Sequence, residues 1–245
     1  MALPDLVLVH GGEHAGDCWD PTVAELRRQA PELRTLIVDL PGHGGKPGNL
    51  WTATIGEWVD SVVADIEDAG LGDIVIVGHS MAGVTVPGVV TKLGSARIRE
   101  MILASAFVPP QGLAIVDTLD GPLAWFARRA ARIGKPMKVP MLAARYAFCN
   151  GMTREQREFT LSRLHAESAR IPAERVDRSG LPDDVARTWI LTTRDRALSA
   201  RSQQKSIEAL GQVQTVIPLD ACHDVMVSHP QQLARILAER CRRYC

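Results

Sequence analysis

The sequence has no excess charge of either sign: 28 Lys and Arg balance 28 Asp and Glu. Without a basic excess the chain lacks the electrostatic footprint of a nucleic-acid binder, so no nucleic acid is expected as a partner. No apolar run approaches the roughly 18–20 residues that a membrane span needs, so no membrane partner is expected either. The opening Met-Ala-Leu-Pro-Asp shows no basic stretch followed by an apolar core and a small-residue cleavage site. The expectation is a cytoplasmic protein without a secretory signal. The cysteines are Cys18, Cys149, Cys222, Cys241 and Cys245. They form neither a Cys-x-x-Cys pair nor a Cys/His cluster, which suits free thiols in a reducing compartment. A Cys241–Cys245 bridge at the tail is conceivable but nothing requires it. What remains is ordinary for a globular chain: 245 residues, 46% hydrophobic and 23% charged, enough for one large domain or two small ones.

The apolar residues alternate in kind along the chain. Short β-branched runs occur at Leu6–Val9, Thr35–Leu40, Ile74–Val77, Met101–Ala104, Trp189–Thr192 and Val213–Pro218. They are nearly continuous, as in strands buried on both faces. Amphipathic stretches separate most of them. Asp20 is the expected N-cap of a helix over Pro21–Gln29. Thr54 and Glu57 fit a capping box ahead of a helix that ends at Gly70. A final helix runs from Pro230 to about Arg243. This strand–helix alternation predicts an α/β fold with a parallel sheet and helices on both faces. Residues 111–183 break the rhythm, with helical pieces and no clear strand. They carry 12 Lys/Arg against 8 Asp/Glu. They read as a helical cap inserted into a core of residues 1–110 and 184–245. Their arginines are either a solvated surface or contacts for an acidic substrate.

The strongest local signal is the run Asp73-Ile-Val-Ile-Val-Gly-His-Ser-Met-Ala-Gly83. A buried strand leads into a serine flanked at two residues on either side by Gly78 and Ala82, and a helix follows. This spacing places Ser80 on a sharp strand-to-helix turn with its hydroxyl exposed at the sheet's end. Glycine is usual where Ala82 stands, and Gly83 follows one later.

A serine hydroxyl needs a base to become a nucleophile. His223, on a short loop after the last strand, is the best placed of the seven histidines. His79 is expected to be a packed structural residue, His165 solvated, and His229 a cap of the last helix. His14 is a candidate for the pocket wall. Asp195 follows the strand Thr188–Thr193 and is the expected partner that fixes the His223 tautomer. Asp224 is expected to face solvent or loop backbone. In His10-Gly11-Gly12 the glycines let backbone approach a substrate closely. Gly12 and Met81 are the expected N–H donors to an oxyanion, and Gly11 a substrate contact. Trp125, Phe126, Tyr146 and Phe148, four of only eleven aromatics, are the expected apolar lining of the pocket. The alternative is that they form plain cap core.

Together, Val-Leu-Val-His-Gly-Gly12, Asp39-Leu-Pro-Gly-His-Gly44, the serine turn, Asp195 and His223 resemble the α/β-hydrolase superfamily over nearly the whole chain. His14, Trp19 and His223-Asp-Val-Met-Val-Ser-His-Pro230 are most similar to the branch of plant methylesterases, hydroxynitrile lyases and their bacterial relatives. The resemblance implies a mostly parallel six-stranded sheet with a helical cap. Hydroxynitrile lyases carry a lysine after the catalytic histidine and a threonine in the glycine loop. Asp224 and Gly11 stand there in this chain and point away from lyase activity. Epoxide hydrolases place an aspartate at the elbow, whereas Ser80 points to acyl transfer.

The expected function is hydrolysis of a small or medium ester by Ser80, His223 and Asp195, with no metal or organic cofactor. Activity is expected to fall as His223 gains a proton, near pH 6.5 unless the site shifts it. Carbon–carbon bond hydrolysis on the same triad, or slow-turnover ligand binding, stays open, as does a homodimer.

Overall fold

The computed structural model describes residues 3–119 and 121–245, with the side chains of residues 121–124, 126 and 127 outside that description. Six strands form one parallel sheet in the order β2-β1-β3-β4-β5-β6. They are β1 (Asp5–Val9), β2 (Thr35–Val38), β3 (Ile74–His79), β4 (Ile98–Ala104), β5 (Ala186–Thr192) and β6 (Thr215–Leu219).

Alternate residues serve opposite faces, as the strand period requires. Val7, Val9, Ile74, Ile76, Met101, Leu103 and Trp189 join one core cluster, which includes side chains of α2 (Ile55–Asp68), α3 (Val86–Leu93) and α8 (Ala200–Leu210). Leu6, Leu8, Val75, Val77, Ile102, Ala104 and Ile190 join the other, with α1 (Asp20–Gln29) and α10 (Pro230–Arg242). Every residue of β3 is buried. Burying each such aliphatic side chain contributes about 1.5–3 kcal/mol, so the central strands are held firmly from both sides. The expectation of doubly buried strands fails at the two edges. β2 is mostly half-buried, and β6 alternates between half-buried and exposed. Pro218 is tolerated in β6 because an edge strand needs no donor on its outer side.

The Thr54 capping box forms in both directions at the start of α2. Asp20, by contrast, is the first residue of α1 rather than its N-cap; Trp19 holds that position and no side chain caps the helix. Pro21 still occupies the first turn, where its missing N–H costs nothing. All five cysteines are free, Cys241 buried and Cys245 exposed.

Between β4 and β5 lie α4 (Ile115–Thr118), α5 (Gly121–Ile133), α6 (Met141–Phe148) and α7 (Arg154–Ser162). Among the described residues the only β-pairing of this segment is an isolated bridge between Met137 and Glu167. At the chain's end the short α9 (Val225–Ser228) leads through His229 into α10. Among the described residues no helix is long and apolar enough to cross a membrane.

Candidate active site

The sheet reverses its winding between β1 and β3, where open α/β sheets leave a crevice at the strands' carboxyl ends. Val9 pairs with Gly78 in register, so the loop after β1 meets the turn after β3. The fit leaves no room for side chains. A Cβ on Gly11 would stand 2.7 Å from Ser80 Cβ, and one on Gly12 would stand 3.0 Å from Met81 Cε.

Ser80 adopts φ +52°, a left-handed conformation that L-residues rarely adopt. Packing enforces it: the Phe107 N–H donates to the Ser80 carbonyl at 2.9 Å. Gly78 and Gly83 make room around the turn. A Cβ on Gly78 would meet Val86 at 2.8 Å, and one on Gly83 would meet the Phe107 carbonyl at 2.4 Å. The steric demand on the far side of the serine thus falls on Gly83, and buried Ala82 is accommodated.

From this turn a hydrogen-bonded chain crosses the sheet. Ser80 Oγ lies 2.9 Å from His223 Nε2, and His223 Nδ1 lies 2.7 Å from Asp195 Oδ2. Asp195 is fixed in turn: its Oδ1 accepts the Ala197 and Leu198 N–H groups at 2.8 and 2.7 Å. Its Oδ2 also accepts the Thr192 hydroxyl at 3.1 Å. Burial opposes a charge on His223, but Asp195 outweighs it and holds the ring's pKa above 6.5. Gln203, which the sequence reading missed, threads this network. Its amide donates to the Thr192 carbonyl at 3.0 Å and the Leu198 carbonyl at 2.9 Å. The only sequence signal was a polar residue on the buried stripe of α8.

A cavity of about 150 Å³ opens beside Ser80. Gly12, Met81 and His223 line it from the core, and Ile115, Leu119, Met137, Val139 and Phe148 from the segment between β4 and β5. Phe148 stacks on His223, ring centroids 5.5 Å apart. Trp125 and Tyr146 do not belong to this wall. They are 66% and 63% exposed, and each carries an arginine over its ring, Arg129 and Arg196 respectively. The amphipathic helices turn them outward. Phe126 has its side chain outside the described residues. Gly11 lies beneath the elbow rather than on the wall, since its missing side chain makes room for Ser80 itself.

The charged lining is acidic, not basic. Glu13 and Glu167 face the cavity, and no Lys or Arg does so among the described residues. An acidic substrate met by the segment's arginines is therefore not what this wall provides. Burial raises the Glu13 carboxyl to about 7, despite the Val139 N–H that donates to it at 2.6 Å.

Three histidines are placed differently from expectation, and a fourth, His79, is the packed residue expected. His14 is buried and does not line the cavity. Its Nε2 lies 3.0 Å from Asp224 Oδ2, so Asp224 is a buried ion-pair partner rather than a solvent-facing residue. His165 is half-buried, with its ring 6.2 Å from that of His43. His229 occupies the position before α10 but makes no side-chain cap bond. His79 is wholly buried and lies 3.0 Å from the His223 carbonyl through Nε2; burial pushes its pKa down to about 3. His79, His223 and Asp224 offer metal-ligand atoms within 4.8 Å of one another. Both His223 nitrogens are already engaged, by Ser80 and Asp195, so a cation held by all three residues would have to break one of those contacts.

Residues 6–236 match the sequence model of the alpha/beta hydrolase family. The chain belongs to that family. Among solved structures, an extracellular α/β-hydrolase from a Paenibacillus species superposes with a TM-score of 0.84 at 21% identity, covering 96% of this chain and 98% of that one. A methylesterase from Arabidopsis superposes with a TM-score of 0.76 at 19% identity, covering 99% and 100%. These likenesses establish the shared fold. In sequence, the chain is 31% identical over 121 residues to a carbendazim-hydrolyzing esterase of Nocardioides sp. strain SG-4G, 48% of each chain. The chain thus spans about half the length of the curated relatives it matches.

Proposed function

We propose that this α/β-hydrolase is a serine hydrolase of small carboxylic esters. The observation that carries the reading is the continuous Ser80–His223–Asp195 hydrogen-bond chain, with its hydroxyl end at the cavity. The similarity to a protein named as an esterase supports an ester as the substrate class.

In this mechanism His223 Nε2 takes the Ser80 proton as Oγ attacks the ester carbonyl. Asp195 keeps Nδ1 protonated and stabilises the imidazolium that forms. The N–H groups of Gly12 and Met81 receive the oxyanion, a contribution of roughly 3–4 kcal/mol per donor in related sites. His223 then protonates the departing alcohol, and a water repeats the sequence on the acyl-enzyme to release the acid. The chain's own groups supply every proton transfer.

Residues 111–183 act as the cap, since they supply Ile115, Leu119, Met137, Val139 and Phe148 to the wall. A cavity of about 150 Å³ lined by aliphatic and aromatic side chains is large enough for a benzene ring. The substrate's buried part is therefore of about that size and apolar.

A panel of esters graded in acyl and alcohol size tests this, with a β-diketone included and Ser80→Ala as the control. The reading predicts ester turnover that vanishes in Ser80→Ala. Turnover of the diketone alone, or ester turnover surviving in the variant, contradicts it.

A further inference from the structure

The peptide that joins Gly12 to Glu13 is held at both ends. Its carbonyl lies 2.8 Å from His14 Nδ1, and its N–H donates to Glu167 Oε2 at 3.0 Å. The other His14 nitrogen faces Asp224 Oδ2 at 3.0 Å. A carbonyl and a carboxylate only accept, so satisfying both contacts requires a proton on each His14 nitrogen. His10, in the same loop, makes the contrast. Its Nδ1 faces the Gly11 carbonyl, but its Nε2 accepts the Leu40 N–H at 3.0 Å, which fixes a neutral ring.

We propose that His14 is a positioning residue: a buried imidazolium that braces the loop bearing His223 against the glycine loop and holds the Gly12 N–H toward Ser80. Asp224 directly follows the base His223, so the His14–Asp224 pair sets the spacing between base and oxyanion site. The clamp also explains the backbone. Glu13 is held at φ +62°, a left-handed conformation that L-residues rarely adopt. A neutral His14 would leave the Gly12 carbonyl or Asp224 without its donor, a penalty that buried polar groups resist. The surroundings favour the charge. Asp224 and Glu13 face it with carboxyl groups, while His79, His223 and His10 are the neighbouring imidazoles that would oppose it only if protonated. Burial works against the charged ring, yet Asp224 raises it to about 9.

The inference rests on Ser80 as nucleophile and Gly12 as oxyanion donor, and its test separates the two. In wild-type protein labelled with ¹⁵N-histidine, His14 is assigned by its loss in His14→Gln. It should show both ring nitrogens protonated at pH 7.5. A singly protonated tautomer at that pH overturns the proposal. In kinetics normalised to titrated active sites, His14→Phe, which keeps the ring and loses both donors, should lower kcat about a hundredfold. KM should change little, and His14→Gln, with one donor restored, should recover part of the loss. A merely structural role would lower the fraction of active sites and leave kcat per site intact. That outcome, with Ser80→Ala inactive, overturns the positioning role alone. Turnover surviving in Ser80→Ala overturns the reading beneath it.

Discussion

Phe148 lies against His223 with the two ring planes 27° apart and their centroids separated by 5.5 Å. One side chain from α6 thus forms both the cavity wall and a cover over the imidazole. Removing it uncovers the base and widens the pocket. Phe148→Ala should raise KM for a small ester by up to about tenfold, the scale of one aromatic pair. Steady-state kinetics on two esters of different acyl size will show this, with the smaller substrate affected more. Equal kcat and KM for both substrates in the variant would show that Phe148 does not bound the site.

The pH profile follows from the placement of His223. In the proposed mechanism His223 must be neutral to accept the Ser80 proton. Burial lowers its pKa, but Asp195 raises it further, to a value above 6.5. As pH falls, the ring gains its proton earlier than a free imidazole would. The acid limb of kcat/KM should therefore have its midpoint above 6.5, and activity should be largely lost by pH 5. A midpoint at or below 6.5 would show that the Asp195 contact does not govern the base.

At Glu13 burial prevails instead, and the carboxyl's folded pKa lies above its unfolded value. Burial raises it from 4.5 to about 7. The folded state holds this proton to higher pH than the unfolded state, so stability falls as pH rises from about 4.5 to 7. Above that window the full cost is present, up to about 3 kcal/mol. Glu13→Gln keeps an acceptor for the Val139 N–H and removes the charge. It should be more stable than wild type at pH 8 and no more stable at pH 4. Urea unfolding at the two pH values measures the difference, and a gain of the same size at both would contradict the assignment.

Gln203 supports Asp195, the acid of the proposed triad, from behind. Its amide fills acceptors on Thr192 and Leu198, which flank Asp195 in sequence. Gln203→Leu leaves those buried carbonyls unpaired. The expected destabilisation is about 1–3 kcal/mol, with a loss of kcat as Asp195 loosens. Chemical denaturation and kinetics on the same preparation test both effects. Unchanged stability would remove Gln203 from the support of Asp195.

Much of this arrangement was legible in the residues themselves. Val-Ile-Val-Gly-His-Ser placed the nucleophile candidate at a strand end, because a buried run that stops at Gly78 has to turn sharply there. Asp195 and His223 followed from the same argument at β5 and β6. The walls were less legible. Trp125 and Tyr146 are apolar rings on amphipathic helices, and sequence alone does not say which face of such a helix meets the core. Asp224 looked solvent-bound because its partner, His14, lies 210 residues away. Glu167 was invisible for the same reason. Its role comes from a backbone contact with Glu13 across 154 residues, and no local pattern encodes it.

The most direct test of the account is covalent. Wild-type protein treated with a fluorophosphonate should gain one adduct, and peptide mass spectrometry should place it on Ser80. His223→Ala should slow the labelling severely, and Ser80→Ala should abolish it. An adduct on another residue, or labelling that persists unchanged in Ser80→Ala, would contradict the assignment of Ser80 as the nucleophile.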